Sequence, residues 1–231
     1  MENAVFSGNM KLAGLISANH SLILMLPRFG IPLGFGDGSV SDICRKHNVS
    51  EDFFLLVCNV YTFDTYRPDK EELCGMDMSL LVPYLLASHR YYLKERLPHI
   101  EHHLQKIANH AAAKYGDMLM RFFDGYKQEV FAHFNYEEHT VFPYIGRLLN
   151  GTMSETYHIR DFAKSHSDVE DKLNDLTQIL FKYLPGNVLP DESIEVVFDI
   201  FQLSADLNKH TLIEEKILVP YVEMLEKGSA G

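Results

Sequence analysis

The chain has 231 residues, 46% hydrophobic and 12% aromatic, which suffices for a well-buried core without staples and is too apolar for a disordered chain. Its 21 basic residues against 32 acidic ones give a net charge of −11, which argues against a general nucleic-acid binder. The cysteines at 44, 58 and 74 are spaced by 14 (58−44) and 16 (74−58) residues, fitting neither a disulfide framework nor a CxxC motif, so reduced thiols are expected.

The opening stretch MENAVFSGNMKL lacks a basic start followed by an apolar run, and the apolar residues 22–26 are far too few to span a membrane. A cytoplasmic protein with no membrane partner is therefore expected. Apolar residues recur at helical spacing over 10–26, and a loop rich in breakers follows, with Pro27, Gly30, Pro32, Gly34, Gly36 and Gly38. Ser39 with Asp42, and Ser50 ahead of EDFFLLVCNVY, are N-cap signals that predict short helices near 40–47 and 51–63. Residues 1–63 are thus expected to form a small helical domain, and 64–77 a linker of weak periodicity.

Four long segments follow over 78–227, each with apolar residues at alternating three- and four-residue steps. The first runs through Val82, Leu86, His89, Leu93, Leu97, Ile100, Leu104 and Ile107. The second carries Tyr126, Val130, His133, Glu137, Val141, Tyr144 and Leu148; the third Phe162, His166, Val169, Leu173, Leu176, Leu180 and Tyr183. The fourth carries Val196, Ile200, Leu203, Leu207, His210, Glu214, Ile217 and Tyr221. Breaks near 109–117, 150–156 and 185–192 suit connections between antiparallel neighbours. The expected fold class is all-α, an up-down-up-down four-helix bundle preceded by the small helical domain.

Every long segment carries a histidine on its apolar stripe, and two carry His-x-x-x-Glu: His133 with Glu137, and His210 with Glu214. An i,i+4 pair shares one helix face, so its side chains can serve neighbouring metal ions. The spacing repeats: His89 to His133 is 44 residues (133−89), and His166 to His210 is also 44 (210−166). Across a hairpin turn of about eight residues, that distance brings each pair to one level. His89, His133, Glu137, His166, His210 and Glu214 then converge in one slice of the bundle as candidate metal ligands. Two buried carboxylates each cost several kcal/mol, of order 2–5, unless a cation or hydrogen bonds compensate them, and the apolar stripes hold no lysine or arginine beside them. Imidazole and carboxylate donors without thiolate suit two octahedral iron ions, oxo- or hydroxo-bridged, better than tetrahedral zinc. An open position on such a pair suits O2, NO or peroxide as small ligands. Glu129 and Asp206, each four residues before a ligand histidine, are candidates to accept its other ring N–H.

The remaining histidines are read otherwise. His110 lies 21 residues after His89 (110−89), roughly 30 Å along a helix, out of reach unless the chain folds back near Pro98. His99, His102 and His103 superficially resemble a metal cluster but are expected on a solvated face, as are His139 and His158.

The segments HFNYEEHTVFPYI and HTLIEEKILVPYV resemble the two His-x-x-x-Glu stretches of the hemerythrin-like (HHE cation-binding) family. The layout is similar to that of the di-iron proteins for repair of iron-sulfur clusters, which place a small helical domain ahead of the bundle. That resemblance implies a carboxylate-bridged di-iron site on the same six residues. It also implies a role in oxidative or nitrosative stress, through cluster repair, iron donation to apo iron-sulfur proteins, or handling of NO or peroxide. The chain departs from it at FGIPLGFGDGSV, where Gly34 and Phe35 stand in the places of the family's cysteine pair. A sensor or carrier that binds O2 or NO without turnover is the alternative; iron storage, or a site that merely stabilises the fold, is a third.

Overall fold

In a computed structural model, residues 5–152, 157–165, 171–183 and 188–228 are described, and among them the regular structure is helical, with one isolated bridge between Lys11 and Ser39 and no strand. The elements are α1 (Leu12–Ala18), α2 (Val40–His47), α3 (Glu51–Thr62), α4 (Lys70–Gly75), α5 (Leu81–Tyr91), α6 (Leu97–His110), α7 (Ala113–Tyr136), α8 (Phe142–Leu149), α9 (Ile159–Ser165), α10 (Asp171–Tyr183), α11 (Pro190–Ile213) and α12 (Val219–Gly228). None of these helices is long and apolar enough to cross a membrane.

The chain packs as two compact units, one of residues 1–88, 144–164 and 209–231, the other of 89–143 and 165–208. In the first unit α2 begins at a reciprocal capping box, Ser39 accepting from the Asp42 N–H while Asp42 accepts from the Ser39 N–H, and α3 begins at the Ser50 cap. The apolar stretch over 10–26 is not one helix. Asn19, in an extended conformation, stops α1, and its side chain caps the Ser21 N–H to start a 3-10 turn over His20–Leu24. Segment 64–77 holds α4, capped by Asp69. The Phe29 ring packs against Phe53, Phe54 and Tyr84, and buried Arg28 donates to the Tyr61 hydroxyl at 2.6 Å.

The second unit has a core shared by four helices: Leu97, Ile100, Leu104 and Ile107 of α6, Phe123, Tyr126, Val130 and Phe134 of α7, Leu173, Leu176 and Leu180 of α10, and Val196, Ile200, Leu203 and Leu207 of α11. Each set keeps the three-four spacing of its segment, as required for a stripe facing a shared interior. The break expected at 109–117 shrinks to Ala111 and Ala112, the only residues between α6 and α7. A turn this tight depends on Gly116: a Cβ there would lie 2.6 Å from the Ala108 carbonyl oxygen, a backbone atom that cannot step aside. Gly116→Ala is expected to destabilise the protein by about 1–3 kcal/mol despite its better helix propensity, measured as a lowered urea midpoint. An unchanged or raised midpoint would show that the hairpin can open at no cost.

Three helices contain a π turn, at Tyr92–Arg96, Glu137–Val141 and Glu214–Leu218. The N–H of the next residue, Leu97, Phe142 or Val219, bonds in each case to the carbonyl five residues back, and the residue after that is a proline: Pro98, Pro143 or Pro220. A proline inside a helix lacks the N–H and drives its ring into the carbonyl four residues earlier. Widening the preceding turn by one residue removes that clash, so the helix continues through Pro98 instead of folding back.

Candidate metal centre

Two of the π turns begin at the glutamate of a His-x-x-x-Glu pair, Glu137 and Glu214. Short π segments recur at functional sites because they re-aim a side chain without ending the helix. Glu137 is fully buried at the end of α7, and each of its oxygens faces an imidazole: Oε2 lies 2.9 Å from His89 Nε2 and Oε1 lies 2.7 Å from His133 Nε2. Among the described residues neither oxygen accepts a hydrogen bond. A carboxylate held in an apolar interior on those terms is costly unless a positive charge compensates it, and imidazole and carboxylate lone pairs turned toward one volume are a donor set for a cation. The residues present fit a metal ion.

His89 comes from α5 and is held on three sides. Its ring stacks on Phe134, with centroids 4.0 Å apart and planes within 13°, and lies nearly parallel to Phe142 at 5.7 Å. Its Nδ1 is 2.9 Å from Glu138 Oε1, so the carboxylate accepts a hydrogen bond from Nδ1–H and leaves Nε2, the nitrogen beside Glu137, as the lone-pair donor. Sequence reasoning missed Glu138. The available signal was the doubled acid in each motif, Glu137-Glu138 and Glu214-Glu215. Glu215, however, is exposed. Glu138→Gln is expected to lower metal affinity by about 10–100-fold with the helical content unchanged. An affinity within twofold of wild type would remove Glu138 from the site.

On the other motif, His210 Nε2 lies 3.2 Å from Glu214 Oε1, and both residues are buried. Each unit thus holds a buried His/Glu pair whose donors could take a metal ion, His89 with Glu137 in the second and His210 with Glu214 in the first. His133 is nine-tenths buried and reaches the pair in the second unit through Glu137. His166 lies outside the described residues. Asp206, one turn before His210, is buried, whereas Glu129 is half-exposed and pairs with Lys172, so it does not back His133.

The interior is not free of basic side chains. Lys216 is buried two residues beyond Glu214, but its ammonium donates to the Asp64 backbone carbonyl at 2.8 Å, and burial pulls its pKa down. His110 and His139 are exposed, each with Nδ1 at 2.9 Å from the carbonyl one turn back, and His158 is exposed near Glu226. Cys44 and Cys58 are buried free thiols. Burial pushes Cys44 up to about 12 and raises Cys58 as well, which suppresses thiolate chemistry at both; Cys74 is exposed.

Residues 81–222, more than half of the chain, match the family model for the hemerythrin HHE cation binding domain. No curated protein and no solved structure matches the chain.

Proposed function

We propose that this chain, which belongs to the hemerythrin HHE cation-binding family, holds two iron ions on His89, His133, Glu137, His166, His210 and Glu214 and serves in the response to oxidative or nitrosative stress. The observation that carries the reading is the Glu137 carboxylate, buried without a hydrogen bond and flanked by two imidazole nitrogens at 2.7 and 2.9 Å. Repetition of the same motif, the same π turn and the same buried carboxylate at His210 and Glu214 supports two ions rather than one. Bound iron supplies electrons and an open position for O2, NO or peroxide.

The chain's own residues set the conditions. Phe134 and Phe142 wall the His89 face with hydrocarbon and exclude water, and Glu138 holds that ring in one tautomer. The N-terminal segment carries Gly34 and Phe35 in place of a thiol pair, and its Cys44 and Cys58 are buried, so iron donation or NO and peroxide handling fits better than a step needing a dithiol. A histidine-rich donor set also favours the alternative of a sensor or carrier that binds O2 or NO reversibly.

Anaerobic reconstitution with Fe(II), then exposure to O2 and NO under optical and Mössbauer observation, tests the reading. Two iron equivalents per chain with a spin-coupled signal are expected, and one zinc with no iron after iron-replete growth would overturn it. Conversion of NO or peroxide, or iron transfer to an apo-ferredoxin, supports the stress role. A stable, reversible adduct transfers the assignment to a sensor or carrier.

A further inference from the structure

A second constellation lies on the helix faces that α6 and α11 contribute to the second unit. His99 and His103 are one turn apart on α6, their rings edge to face with centroids 4.6 Å apart, and Asp199 of α11 brings its Oδ2 to 3.0 Å from His99 Nε2. Donor atoms of these three residues all fall within 4.8 Å of one another. We infer that His99, His103 and Asp199 form a further metal site, built from none of the residues of the His/Glu pairs, that takes a divalent transition ion of the zinc class.

The chemistry of each donor supports this. Two histidines at i and i+4 chelate one ion from a single rigid helix, and a carboxylate from a second helix closes the set. Around an ion with bonds of about 2.0–2.2 Å, tetrahedral donors stand about 3.4 Å apart, a spacing that rotamer adjustment can reach from donors lying within 4.8 Å of one another. The donors are also oriented. Arg96 holds the other oxygen of Asp199, Oδ1, at 2.8 Å and leaves Oδ2 turned to His99. Glu192 Oε1 lies 2.6 Å from His103 Nδ1, fixing that proton and leaving Nε2 as the metal-binding nitrogen. Lys106, 3.0 Å from the same Glu192 oxygen, and Glu195, which with His103 and Glu192 makes a second group of donors, complete the charges around His103. His99 is about half exposed and Asp199 about one-fifth, so an ion can enter and a water can complete its coordination. His102, between the two ligands in sequence, is exposed, lies one residue and so about 100° round the helix from His103, and is not among the donors that meet Asp199. An ion at this position would tie α6 to α11.

Titration of the full chain with Zn(II) by calorimetry, and with Co(II) by its visible absorption, tests the site in both the iron-loaded and the metal-free protein. In the iron-loaded protein one zinc equivalent is expected, with an accompanying rise in the thermal midpoint, and the metal-free protein should take up the same equivalent besides any zinc that enters the His/Glu pairs. His99→Ala and His103→Ala should each weaken that equivalent at least tenfold, and Asp199→Asn should weaken it several-fold. His102→Ala should leave it unchanged, and iron content and helicity should be unaltered in all four variants. No zinc uptake below millimolar concentration, equal loss in His102→Ala, or unchanged affinity in His99→Ala and His103→Ala would overturn the inference. Loss on Glu195→Gln with none on Asp199→Asn would overturn it too, by placing the ion one turn away. Because each variant is compared with wild type in the same loading state, and none of the four alters a residue of the proposed iron site, failure of the di-iron reading does not affect the outcome.

Discussion

Chelation of the bound metal is expected to lower the thermal midpoint by about 8–16 °C while leaving the helical content below the transition largely intact. The metal-free interior contains Glu137, Glu214 and His89 with no exposed surface and His210 with 2%. Bound metal would satisfy such donors, and the unfolded chain cannot reproduce their arrangement, so binding free energy would become folding free energy. At free metal about a thousandfold above its dissociation constant, that linkage contributes about 4 kcal/mol. For a chain of this size each kcal/mol moves the midpoint by about 2–4 °C. Calorimetry of the iron-loaded and chelated protein under anaerobic conditions measures the difference. Coincident transitions would mean that these donors hold no ion that matters to the fold, and the metal reading would fail with them.

The parts of this structure legible in the sequence are those written in local chemistry. Ser39 with Asp42 and Ser50 announce α2 and α3 almost to the residue, because a cap is a contact between neighbours in the chain. The repeated His-x-x-x-Glu is legible for the same reason, since the helical period alone puts its two side chains on one face. The midpoint between His89 and His133 is residue 111, where the chain turns, so these two lie equally far from the turn; His166, on which the second spacing rests, lies outside the described residues.

What escaped depends on partners distant in sequence or on backbone detail. The two-residue turn rests on Gly116 meeting Ala108 across the hairpin, which no local pattern reveals. The π turns follow from Pro98, Pro143 and Pro220, but a proline within an apolar period is equally consistent with a break. Glu138 reads as one charge among many until α7 and the π turn after it aim it at His89. His99 and His103 look like a solvated face because the Asp199 that meets them comes from α11, 96 residues on from His103 (199−103).

Glu137→Gln should change the protein in opposite directions with and without metal. In the loaded state the amide cannot donate two anionic oxygens, so at least one iron equivalent should be lost and the thermal midpoint should fall toward that of the chelated wild type. In the metal-free state the same substitution removes a carboxylate that accepts no hydrogen bond and replaces it, at nearly equal volume, with a neutral group. The new NH2 can donate to a ring nitrogen of His89 or His133, the neighbours at 2.9 and 2.7 Å. Relieving a buried, unsatisfied carboxylate in this way is worth about 1–3 kcal/mol, so the metal-free variant should be more stable than metal-free wild type. A general packing defect would destabilise both states, and a surface position would alter neither. His110→Ala supplies the surface comparison: among the described residues its exposed ring bonds to the Lys106 carbonyl of its own helix alone, so iron content should be unchanged and stability should move by no more than about 0.5 kcal/mol. Denaturant titrations of the two variants and wild type, each with and without iron, give the sign directly. If Glu137→Gln destabilises the metal-free protein, then that carboxylate is already satisfied by its imidazole neighbours, and the strongest single reason for placing a cation beside it is gone.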